Sequence, residues 1–120
     1  MKIAITAQGN TLDSAVDPRF GRAKYFIVFN TITKTFAVEN NSQNLNATQG
    51  AGIQAAQNVI ETGVELVITG HCGPKAFKVL NAGNIKIVTD AKGTVQNAIT
   101  DLQNGKLEVA DCADVEGHWV

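Results

Sequence analysis

Residues 24–30 read Lys-Tyr-Phe-Ile-Val-Phe-Asn, with five apolar or aromatic side chains in a row. Successive side chains of a strand point to opposite faces of its sheet. A strand apolar at every position therefore needs cover on both faces, and a half-solvated sheet cannot supply it. The chain must place further layers above and below this strand.

The other segments sort around it. Residues 2–7 form a first strand, with Ile3 and Ile5 on one face. Residues 8–21 are polar and irregular, with Gly9-Asn10, Asp17-Pro18 and Gly21 as turn signals. In residues 35–39 Phe36 and Val38 alternate, and the short link 31–34 makes a hairpin with the central strand. Residues 40–50 are rich in Asn and Gln and read as an exposed loop. The grammar then changes to alternating helix and strand. Residues 51–62 carry Ile53, Ala56 and Ile60 at helical spacing, with Gly63 as a stop. Residues 64–69 and 85–89 are buried strands. Between them Pro74 opens a helix to Ala82 with Phe77 and Leu80 inward, closed by Gly83. Residues 95–104 form a third helix, with Thr94 as N-cap, Val95, Ile99 and Leu102 on one stripe, and Gly105 after it. The order β–ββ–α–β–α–β–α predicts an α/β fold with a mixed five-stranded sheet and helices on both faces.

A chain of 120 residues is the size of one domain, and its core needs no metal or disulfide. Cys72 and Cys112 read as free thiols. The formal charge of −1 lacks the basic excess of a non-specific nucleic-acid binder. No apolar run reaches a membrane span, and no signal peptide opens the chain, so the expected compartment is the cytoplasm. Charge is uneven: residues 1–100 carry a balance of +3 and residues 101–120 a balance of −4. The expected organisation is a domain over residues 1–105 and an acidic tail over 106–120. Leu107 and Val109 could support a short strand within that tail.

Ligands of open α/β sheets gather at the carboxyl ends of the parallel strands. Three segments belong to that rim: residues 6–9, 69–74 and 89–93. The second, Thr69-Gly70-His71-Cys72-Gly73-Pro74, sets an imidazole beside a thiol in a tight loop. Gly70 and Gly73 permit close backbone approach. The helix start at Pro74 favours an anion and the thiolate form of a cysteine just before it. Such a soft pair suits a thiophilic metal. A single His-Cys pair is short of the three or four ligands of most metal sites, and a cysteine in such a turn is often simply buried. Gly50 and Gly52, at the start of the first helix, offer N–H groups to an anion or allow close helix–sheet packing. Arg19 and Arg22 place two guanidinium groups on one loop, to grip an anion or to pair with Asp13 or Asp17. In the tail, Cys112 and His118-Trp119 could complete a coordination shell or remain solvated.

Residues 1–7, the block Val16-Asp17-Pro18-Arg19-Phe20-Gly21-Arg22-Ala23, the helix start at 49–56 and residues 69–77 together resemble the dinitrogenase iron–molybdenum cofactor biosynthesis family. The resemblance spans roughly residues 1–105. It implies a ribonuclease-H-like three-layer α/β/α fold. It also implies binding or carriage of a preformed anionic metal–sulfur cluster, containing molybdenum with copper or iron, without catalysis. In that role Arg19, Arg22 and the helix starts at Gly50, Gly52, Gly70 and Gly73 would balance the cluster's charge. His71 and Cys72 would ligate it, or N–H groups and apolar contacts would seat it without ligation. Cluster-assembly proteins are the implied partners.

Three rival readings differ in class. A ribonuclease-H-like nuclease needs carboxylates, one usually on the first strand, and residues 2–7 carry none. A protein-interaction or regulatory module of a cluster-handling assembly would use the acidic tail and Trp119. A redox enzyme built on Cys72 and Cys112 lacks the CxxC spacing. Because the core is independent of metal, the metal-free chain should unfold in one cooperative transition. Circular dichroism on heating checks this, and a random-coil spectrum in metal-free buffer would contradict it.

Overall fold

The computed structural model describes residues 1–41 and 50–110. Eight elements follow in chain order: β1 (Lys2–Ala7), β2 (Tyr25–Asn30), β3 (Phe36–Asn40), α1 (Ala51–Glu61), β4 (Leu66–Ile68), α2 (Pro74–Ala82), β5 (Lys86–Val88) and α3 (Val95–Gln103). They form one mixed five-stranded sheet in the order β3-β2-β1-β4-β5. β1, β4 and β5 run parallel, and β2 is antiparallel to both β1 and β3. The expected element order and mixed sheet are both present.

The apolar run in β2 has the cover it demands. Phe26 and Val28 face a cluster with Ala4, Val67 and Ile87, closed by Ala55, Ala56 and Val59 of α1 and Ala76 and Leu80 of α2. Ile27 and Phe29 face the opposite cluster with Ile3, Ile5 and Ile68, closed by Val95, Ala98 and Ile99 of α3. Adjacent residues of one strand thus feed two separate cores. Burial of one such side chain contributes about 1.5–3 kcal/mol before the cost of ordering it.

Several details differ from the sequence reading. The buried residues of α1 are Ala51, Ala55, Ala56 and Val59, while Ile53 and Ile60 are only half-buried. α1 packs on α2 as well as on the sheet, and small side chains let the two helices approach. A Cβ added at Gly52 would stand 3.3 Å from the Ala76 Cβ. For the same reason α2 buries Ala76 and Leu80 and leaves Phe77 at the margin. In α3, Ala98 joins Val95 and Ile99, and Leu102 is half-buried. β4 and β5 have three residues each, shorter than expected. Gly83 follows α2 as expected, yet the left-handed turn is taken by Asn84 at φ 62°. Thr94 caps α3 reciprocally with Asn97: the Asn97 N–H donates to Thr94 Oγ1 at 3.1 Å, and the Thr94 N–H to Asn97 Oδ1 at 2.9 Å. Leu107 and Val109 form no strand, although the Ala110 N–H donates to the Ile87 carbonyl of β5 at 2.7 Å. Residues 111–120 of the tail lie outside the described residues.

The irregular segment after β1 is tied down along its length. The Asp17 N–H donates to the Thr6 carbonyl at 2.9 Å, and the Thr6 hydroxyl returns a bond to the Asp17 carbonyl at 2.8 Å. Thr6 also bonds the Thr69 hydroxyl at 2.9 Å, linking β1 to the end of β4. Val16 donates to Gly93, and Val95 to Ser14, each at 2.9 Å. The tightest join is between two rim loops. His71 N–H donates to the Pro18 carbonyl at 2.7 Å, and Phe20 N–H to the His71 carbonyl at 3.1 Å. Between them Gly70 lies against the Pro18 backbone. A Cβ there would stand 2.6 Å from Pro18 Cα and 2.7 Å from its carbonyl oxygen. Only glycine fits, and the atoms in the way are backbone, which cannot rotate aside. Gly70→Ala is expected to destabilise the protein by about 1–3 kcal/mol through this overpacking. A urea titration would show a lower midpoint, and an unchanged midpoint would contradict the account.

Candidate functional site

The join between the two loops builds a cleft at the carboxyl end of β1. It has a volume of about 290 Å³ and is lined by Gln8, Asp17, Pro18, Arg19, Arg22 and Lys24. Three cationic side chains therefore meet one carboxylate. Arg19 and Lys24 are exposed and Arg22 half-buried, whereas Asp17 is buried. The Asp17 carboxylate is already engaged, since Oδ1 accepts the Arg19 N–H at 3.0 Å. This turn curls the chain so that both arginines project from one short loop. Asp17 thus holds the loop through a backbone donor.

Below the cleft, Phe20 is buried and its ring packs 5.3 Å from that of Phe26 at 46°. The loop is thus nailed to the core between Arg19 and Arg22. Asn41, just after β3, provides a second anchor. Its side chain is buried and donates to the Ala23 carbonyl at 2.8 Å and the Gly21 carbonyl at 3.2 Å. Gly21 in turn abuts the start of α1, where an added Cβ would lie 2.7 Å from Gly52 Cα. Gly52 therefore serves packing, against this loop and against α2. Gly50, exposed and left-handed at φ 77°, is the N-cap of α1. Gly73 is the buried N-cap of α2. Gly70 closes on Pro18, so its small size serves the protein's own backbone.

His71 and Cys72 part company in space. His71 is exposed and pairs with Arg19 in an isolated parallel bridge, which puts it at the edge of the cleft. Cys72 is fully buried and belongs to the cluster of Phe20, Phe26 and Leu80. Its Sγ lies 3.8 Å from the Gly73 carbonyl oxygen. Neighbours in an extended stretch face opposite ways, so one donor of the pair reaches the surface and the other fills the core. Among the described residues no group of three or more His, Cys, Asp and Glu side chains could hold a metal ion. Cys112, His118 and Trp119 lie outside the described residues.

Gln8 and Lys24 line the cleft and were missed by the sequence reading, as was Asn41, which anchors the loop. The signal for the first two is the hairpin register. Ala7 pairs with Tyr25, so the next step outward sets Gln8 opposite Lys24. A larger cavity of about 400 Å³ lies between β3 and α1, lined by Phe26, Glu39, Asn40, Asn41, Asn58, Val59, Glu61 and Thr62. Its charged groups are the carboxylates Glu39 and Glu61, which would repel an anion. By charge the smaller cleft is the anion-receptive one.

Comparison with known proteins finds relatives that share the fold. The chain is similar to the apo form of the orange protein from Desulfovibrio gigas, with 38% identity and a TM-score of 0.93 over 95% of this chain and 96% of that one. It is similar to a Thermotoga protein assigned to NifB, with 35% identity and a TM-score of 0.79 over 90% and 91% of the two chains. An uncharacterised protein of Methanocaldococcus jannaschii is 29% identical over 112 residues, 90% of each chain. The family model described as dinitrogenase iron-molybdenum cofactor matches residues 1–105, from the first strand to just past α3. The chain that builds this basic cleft therefore belongs to the dinitrogenase iron–molybdenum cofactor family.

Proposed function

We propose that the protein binds and carries a preformed anionic metal–sulfur cluster at the cleft of Arg19, Arg22 and Lys24, without turning over a substrate. The cargo is a molybdenum-containing sulfide with copper or iron. One observation carries the reading: three cations gather on a loop held rigid by the Gly70–Pro18 join and by Phe20. A rigid basic seat suits a guest that arrives already assembled, because little side-chain order is lost on binding. A cluster that brings its own sulfide ligands needs charge balance more than protein donors. The family match and the likeness to the orange protein support the same reading.

The residues divide the work. Arg19 and Arg22 offer planar N–H forks to the sulfide edges, and Lys24, its Nζ 5.7 Å from the centre of the Tyr25 ring, adds a charge opposite Gln8. His71 is the side-chain donor within reach of the cleft's edge. Cys72 holds the loop to the core and takes no part in ligation. N–H groups at the start of α1, beyond Gly50, would add a weaker attraction. The nuclease reading has no support at β1, where the position facing the rim is the buried Thr6.

Anaerobic reconstitution with tetrathiomolybdate and cuprous ion tests the proposal. The expected product keeps a visible charge-transfer band and stoichiometric metal after desalting. Arg19→Ala and Arg22→Ala should each weaken binding about tenfold, near 1.4 kcal/mol, and added salt should weaken it further. Cys72→Ala should still bind. A colourless, metal-free product, or loss of binding in Cys72→Ala alone, would overturn the reading.

A further inference from the structure

Ala110 sits where it aims the residues that follow. α3 begins at the rim, where the Val95 N–H donates to the Ser14 carbonyl and the Gln96 N–H to that of Leu12. Its nine residues carry the chain about 13 Å toward the amino ends of the strands. The Lys106 N–H then donates to the Asp101 carbonyl, and the Ala110 N–H to the Ile87 carbonyl at the outer edge of β5. Residues 106–110 thus climb back alongside β5 and point the chain at the rim.

Residues 111–120 carry Asp111, Asp114 and Glu116 and no lysine or arginine. The sheet register gives their distance from the basic cleft. Ile87 pairs with Val67 and Val67 with Ala4, so Ala110 stands level with Ala4, about three strand spacings to the side. Gln8, at the cleft, lies farther along the course of β1. The span is about 14 Å across and about 13 Å along, or roughly 20 Å. The stretch from Ala110 to Glu116 covers about 20 Å when extended. The long side chains of Arg19 and Lys24 shorten the gap further. Both are exposed, with Arg22 half-buried beside them. The nearer rim loop offers less, because Asp90 there offsets Lys92. Lys86 lies behind the point of departure, at the start of β5.

We propose that the acidic segment 111–120 binds the basic cleft of its own chain and competes there with the anionic cargo, a competition that rests on the carrier reading. The carboxylates of Asp114 and Glu116 take the place of the guest's negative edges at Arg19 and Lys24. Each exposed pair of this kind is weak. The tether compensates, because it holds the carboxylates near the cleft at an effective concentration of about a millimolar. A free acidic peptide would meet the same cations without that advantage. The empty cleft is neutralised in this way, and a guest that engages several cations at once displaces the tail.

The full-length chain and its Asp111→Asn, Asp114→Asn, Glu116→Gln triple variant, both free of metal and ligand, test the contact. Circular dichroism confirms that each is folded. At about 20 mM salt the amide resonances of Gln8, Arg19 and Lys24 should differ between the two, and the difference should vanish near 1 M, where screening acts within about 3 Å. Tetrathiomolybdate should bind the variant about three- to tenfold more tightly at low salt. Identical cleft resonances in the two ligand-free chains, or equal affinities for tetrathiomolybdate, would overturn the proposal. So would a difference that fades on dilution from about 1 mM to about 20 µM, because the tail would then be reaching the cleft of a second copy. Should tetrathiomolybdate bind neither chain, the carrier reading fails, and the ligand-free comparison still decides whether the tail binds the cleft.

Discussion

The contact between Gly70 and Pro18 is the constraint on which the rim depends. Two loops from different strands approach until no side chain fits between them, and two backbone hydrogen bonds fasten them. That contact sets where Arg19 and Arg22 begin. Phe20, buried between them, prevents the loop from collapsing or swinging away. Without this frame the same two arginines would be solvated surface charges with no common direction. The join is therefore both a packing feature and the origin of the electrostatics.

The cost of the arrangement falls on backbone polar groups, which must be satisfied in a segment with no regular structure. They are satisfied by neighbours from three directions: Thr6 on β1, the loop after β4, and Gly93 and Thr94 before α3. The Thr6–Thr69 hydroxyl pair sits at the centre of this network, fully buried. An irregular loop is rigid here because its hydrogen bonds are long-range rather than local.

Much of the fold was legible because side-chain alternation is a local property. The apolar run of residues 25–29 demanded two covering layers, and α1, α2 and α3 supply them. Helix faces were less legible. Ile53 and Ile60 mark the most apolar stripe of α1, but the close approach of α2 rewards alanine and glycine instead. The site was legible only in part. Arg19 and Arg22 fall together because they share a loop. Lys24 and Gln8 meet through strand register, and Asn41 reaches Gly21 and Ala23 through a contact across 20 residues that no spacing rule encodes. His71 and Cys72 are adjacent in sequence and separated by the alternation of the backbone itself.

The claim that the cleft, and not the larger acidic cavity, receives the anion can be tested residue by residue. Backbone amide resonances of the isotopically labelled, metal-free protein would be followed during anaerobic addition of tetrathiomolybdate. The account predicts shifts at Gln8, Arg19, Arg22, Lys24 and His71, with Asn58, Glu61 and Thr62 undisturbed. Shifts gathered around Glu39, Asn58 and Glu61, or none at all, would contradict it.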